Sequence, residues 1–186
     1  MRRTKTLASL VTAATVAMVG FGATAANAVS GDTIATFTVT GSAGLAITVP
    51  ASTVALTSTA AAGGVATSAG SLGDVQVTDG RGALLATWVT TVTSTDFVTG
   101  AGATANTKVT PANITYNPGL VGAATVTGNG TFVPGTAGAI GAGRIAGSMT
   151  LATGVNTAQW NPTLAFTLAT DQVAGTYTGT VTHSAV

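Results

Sequence analysis

The chain has no cysteine, no glutamate and a single histidine, and only 6% of its 186 residues are charged. Each absence closes a class of chemistry. Without cysteine there are no disulfides and no thiolate nucleophile, and one histidine cannot supply a zinc site alone. His183 would need a serine on a sharp turn to form a triad, and no G-x-S-x-G occurs, so it reads as a surface residue on a terminal strand. The acids are five aspartates. Asp74 and Asp79 could share a cation only with further ligands, since calcium takes six to eight oxygens, and no D-x-D-x-D loop provides them. Asp79-Gly80 is more simply a turn. The glycine-rich stretch 138–147 has no lysine and lacks phosphate-cradling spacing. The composition therefore points to a protein without catalytic residues, metal or cofactor.

Scarce charge with 46% hydrophobic residues raises the question of a membrane. Only the N-terminus approaches the roughly 18 apolar residues that a spanning helix needs. There, Arg2, Arg3 and Lys5 precede an apolar stretch from Leu7 to about Ala23, followed by Ala26-Asn27-Ala28. Basic start, apolar middle and small-residue end are the order of a secretory signal peptide. Residues 1–28 are expected to form a signal-peptide helix cleaved after Ala28, leaving a single secreted domain, 29–186, with no membrane span. Arg81, Lys108 and Arg144 then face five aspartates, a net charge of −2. No basic patch remains for phosphates, and nucleic acid is not an expected partner.

Thirty-nine threonines carry the fold signal, because they alternate with bulkier residues. Leu164, Phe166 and Leu168 interleave with Thr163, Ala165 and Thr167; Leu45, Ile47 and Val49 share a face; Tyr177 and Val181 alternate with threonines across 176–182. Period two puts the bulky set on one face of a sheet, and the β-branched threonine suits the other. Further strands are expected at 35–40, 75–78, 84–95, 108–116, 123–133 and 148–152. Loops are expected at 61–73, 100–107, 117–119 and 134–143. Short strands with frequent turns predict an all-β fold, an antiparallel β-sandwich, immunoglobulin-like or a related barrel. Most aromatic rings are expected to fill its core, since each can bury about 150–250 Å². An exposed tryptophan would instead offer a stacking surface.

Two stretches resemble a known family. Leu72-Gly73-Asp74-Val75-Gln76-Val77-Thr78-Asp79-Gly80-Arg81-Gly82, followed by Trp88-Val89-Thr90, is similar to the first half of the WxL domain of Gram-positive secreted surface proteins. Leu164-Ala165-Phe166-Thr167-Leu168 and Ala174–Thr182 resemble its final strands. The resemblance covers roughly residues 33 to 186 through short matches. Thr90 stands where the first motif has leucine, and His183 and Ala185 stand where the second has tryptophan and leucine. The resemblance implies a β-rich domain on the cell surface, held non-covalently to the cell wall. Its partner would be peptidoglycan or another cell-envelope polymer, with Trp88 as ligand-binding residue and Asp79 and Arg81 shaping the turn before it. The C-terminus ends Thr-His-Ser-Ala-Val without a sorting motif, consistent with non-covalent attachment. The alternative is a self-assembling structural or adhesive subunit. Its barely charged edge, such as 175–186, would pair with another surface protein or a second copy by strand addition.

Overall fold

The computed structural model describes residues 36–38, 44–50, 56, 66–102 and 104–186. The expected signal peptide and half of the expected strand at 35–40 lie outside the described residues; residues 36–38, which are described, form no strand. Contacts divide the chain into units 1–37 and 38–186, and every strand below belongs to the second.

Among the described residues twelve strands follow in order: β1 (Leu45–Thr48), β2 (Ala66–Ser71), β3 (Val75–Asp79), β4 (Ala86–Ser94), β5 (Phe97–Val98), β6 (Lys108–Val109), β7 (Ile114–Asn117), β8 (Thr125–Pro134), β9 (Gly138–Ala139), β10 (Arg144–Trp160), β11 (Thr163–Leu168) and β12 (Val181–Ala185). The described residues are all-β and antiparallel throughout, with only two short 3₁₀ turns. One sheet runs β1-β3-β10-β4-β12, with β8 also on β10, and is nearly closed and barrel-like. The second runs β2-β11-β7-β9, and β5 pairs with β6.

The period-two reading explains most of these strands. On β4, Trp88, Thr90 and Val92 are buried while Thr87, Val89, Thr91 and Thr93 are not. On β3, Val75, Val77 and Asp79 are buried, and on β11 Leu164 and Phe166 are. One buried cluster collects the apolar residues among these with Ile114 and Tyr116 of β7, Phe132 of β8, and Met149 and Trp160 of β10. Phe132 stacks on Trp160 at 5.0 Å between ring centroids and leans on Trp88 at 5.8 Å. Its ring also fills the space beside Gly147, where any side chain would collide with it.

Four expectations are corrected. The strand expected at 108–116 breaks at Pro111, whose missing N–H ends the ladder and starts a 3₁₀ turn over Pro111–Asn113. The loop expected at 61–73 contains β2, whose register on β11 runs from Ser71 opposite Thr163 to Ala66 opposite Leu168. Backbone pairing makes that strand without large apolar side chains. The strand expected at 148–152 extends to 144–160, because β10 pairs with three strands and absorbs the register shifts in bulges. The strand expected at 176–182 starts only at Val181. Before it, the Tyr177 hydroxyl donates to Val173 O at 2.7 Å and holds the chain in a corner.

Candidate functional site

Asp79, Arg81 and Trp88 are brought together, although only Arg81 reaches solvent. Asp79 ends β3, opposite Leu45 on β1 and Asn156 on β10, and is fully buried. Its carboxylate accepts from the Arg81 backbone N–H at 3.0 Å and from Arg81 Nε at 2.9 Å, while Nη2 donates to the other oxygen at 2.8 Å. The same Nη2 also donates to Thr87 O at 2.9 Å, which ties the start of β4 to the end of β3. The Arg81 hydrogen bonds hold the Asp79 carboxyl below the usual aspartate range, against the opposing effect of burial; the Asn156 amide adds to the lowering. Arg81 keeps 36% of its side chain exposed. A bidentate pair with one buried partner fixes geometry, as a planar guanidinium does well.

Trp88 is 1% exposed, and its indole N–H makes a long hydrogen bond, 3.4 Å, to Asn156 Oδ1. Asn156 thus stands between Trp88 and Asp79. With its ring against Phe132, Trp88 presents no stacking face to a polymer. Its part in any surface is to support the loop ahead of it.

That loop carries the exposed features. Leu84 and Leu85 are 77% and 61% exposed. Gly154 N–H donates to Ala83 O at 2.9 Å, and Ala152 pairs with Ala86, which brings the leucine pair beside the β10 bulge at Leu151, 63% exposed. Leu85 and Leu151 both have φ of 56°. A non-glycine residue in this left-handed region costs roughly 1–2 kcal/mol and persists only where its surroundings over-determine it.

Asp74 does not meet Asp79. The two flank β3 at opposite ends, and Asp74 instead accepts from Gln159 Nε2 at 2.7 Å and Asn161 Nδ2 at 3.2 Å. Among the described residues no three His, Asp or Glu side chains converge, and no helix is long and apolar enough to cross a membrane.

His183 lies on the terminal strand, as expected, but is buried rather than on the surface. Trp160 Nε1 donates to the Tyr116 hydroxyl at 3.1 Å, and that hydroxyl lies 3.0 Å from His183 Nε2. Burial pushes the Tyr116 phenol up to about 12 and the His183 imidazole down to about 4. Sequence reasoning missed this chain because its members are 44 and 67 residues apart. The left-handed leucines were equally invisible, since leucine carries no signal for positive φ.

Comparison with protein-family models, curated proteins and solved structures finds no match to this chain.

Proposed function

We propose that this is a secreted, non-catalytic surface protein, a divergent relative of the WxL domain, that attaches non-covalently to the bacterial cell wall. The observation that carries this reading is the leucine tip. Leu84, Leu85 and Leu151 are exposed, the last two on left-handed backbone, and the loop that carries the first two lies between the Asp79–Arg81 clamp and the buried Trp88. Exposed apolar groups gathered at one place on a surface are a mark of an interaction site. The architecture fits an immunoglobulin-like sandwich: one core draws on both main sheets, and the Tyr177–Val173 hydrogen bond resembles a tyrosine corner. Peptidoglycan sedimentation tests the proposal. The purified protein should pellet with insoluble wall, and the Leu84→Ser/Leu85→Ser double variant should stay in the supernatant while remaining folded. A wild type that never pellets would end the wall-binding reading.

A second reading, assembly with copies of the chain, is favoured by β8. Among the described residues this ten-residue strand pairs only with β10 and carries no charge. Such an edge lacks the charged residues that usually block strand addition. The segment 175–186 is less suited, because it forms a strand only from Val181 and there pairs with β4. Light scattering at high concentration should show oligomers if β8 pairs between copies, and a monomer rejects this reading.

A further inference from the structure

Among the described residues, a cleft of about 380 Å³ opens between β12 with the segment before it and the residues Val49, Pro50, Leu56, Leu72, Phe97 and Leu164. That volume lies within the range of small-ligand pockets, roughly 300–1,000 Å³. Its lining is mainly aliphatic and aromatic and includes no charged residue; Thr178 and Thr180 sit on the β12 side with Val181. The one titratable residue in the wall is His183.

The hydrogen-bond chain behind His183 sets its tautomer. An indole N–H can only donate, so Trp160 fixes the Tyr116 oxygen as an acceptor. Tyr116 is fully buried, and a buried hydroxyl proton must itself find an acceptor. His183 Nε2, at 3.0 Å, is the acceptor within reach. Nε2 is then unprotonated and the neutral ring carries its proton on Nδ1. Nδ1 has no partner among the described residues, and it is not among the buried atoms cut off from solvent. With Nε2 turned inward to Tyr116, Nδ1–H is the donor the ring has left, and His183 is one of the residues lining the cleft.

A mainly apolar cleft whose polar side chains are His183 and the hydroxyls of Thr178 and Thr180 selects its ligand chemically. A saccharide would bring many hydroxyls to a wall with few partners, and a carboxylate would lose water without gaining a cation. A plain hydrocarbon would leave the donor unmatched. We infer that the cleft binds a small neutral acyl ester, whose carbonyl oxygen accepts from His183 Nδ1–H and whose chain lies against Leu56, Leu72, Phe97 and Val181. The site is separate from the leucine tip and does not depend on wall attachment.

Methyl octanoate, octanoate and octane, titrated into the purified chain, test it. The ester should saturate at one site and move the His183 ring ¹⁵N resonances. Octane should bind about three- to tenfold more weakly for want of the hydrogen bond, and octanoate about tenfold more weakly. Val181→Phe, which fills the cleft from its rim, should abolish binding with the far-UV spectrum unchanged. The proposal is overturned if the ester does not saturate by about 1 mM. It is also overturned if octane binds as well as the ester without moving the His183 resonances, or if Val181→Phe binds undiminished.

Discussion

Thr90→Val should make the protein more stable. Thr90 lies on β4 between Trp88 and Val92, facing the core, and is fully buried. Its backbone is engaged on both sides, opposite Gly147 on β10 and Ala185 on β12. Its hydroxyl oxygen has no hydrogen-bond partner, the only such buried side-chain atom among the described residues. A buried unsatisfied polar group costs about 1–3 kcal/mol. Valine has the same branched shape, keeps the χ1 restriction and the strand preference, and puts a methyl where the hydroxyl was. The expected gain is about 1–2 kcal/mol, most of the recovered desolvation. For a chain of this size that is a rise in Tm of roughly 3–6 °C. Thermal and urea unfolding followed by circular dichroism would measure it, with the urea slope unchanged so that the native state alone has gained. Thr90→Ser keeps the hydroxyl and loses the methyl, and should cost about 1 kcal/mol. If Thr90→Val proves less stable than the wild type, the hydroxyl is bonded in solution and the account of this strand is wrong.

Two further outcomes follow from the buried charges. Arg81→Ala should cost about 3 kcal/mol, because it strands the buried Asp79 carboxylate; Asp79→Ala should cost only about 1–2 kcal/mol, because the guanidinium left behind stays hydrated. Urea midpoints would rank the pair, and the reverse order would show that Asp79 is not the buried partner. His183 gives a pH dependence. Its folded pKa of about 4 lies below the free value of 6.5, so the unfolded chain takes up the proton first. Stability should be level above pH 6.5, fall by about 3 kcal/mol as pH drops from there to about 4, and then lose nothing more through this group. His183→Phe should remove that slope, and an unchanged slope in the variant would assign it to other groups.

The strands were legible where side chains alternate in size, as on β3, β4 and β11, because burial on one face leaves a period of two in the sequence. They were illegible where backbone pairing alone sets the structure. β2 is held by its register on β11, and β10 reaches seventeen residues by recruiting three neighbours. β2 has no large apolar side chain to mark a face, and the bulges of β10 shift which of its residues face inward, which breaks the period of two. The Asp79–Arg81 turn could be read because its partners are two residues apart. The hydrogen-bond chain behind the cleft could not, since His183, Tyr116 and Trp160 meet only when separate strands converge.

The register also bears on the tripeptides that carry the family resemblance. Residues 88–90 lie on β4 and residues 183–185 on β12, and the two strands pair directly: Ala185 is opposite Thr90 and His183 opposite Val92. Positions that look like two distant motifs in the sequence are therefore one contiguous patch of sheet. Trp88 and His183 both point into the core, whereas Ala185 is half-buried and Ser184 exposed. A tryptophan at 183 would have to fill the space where the imidazole now meets Tyr116, and its indole N–H could only donate to that hydroxyl, which Trp160 already supplies. The phenol proton would then lose its acceptor. Histidine at 183 is thus matched to Tyr116 and Trp160 as a unit, and exchanging it alone for tryptophan would cost stability rather than restore a motif. In this chain the second position therefore serves the core and the cleft beside it.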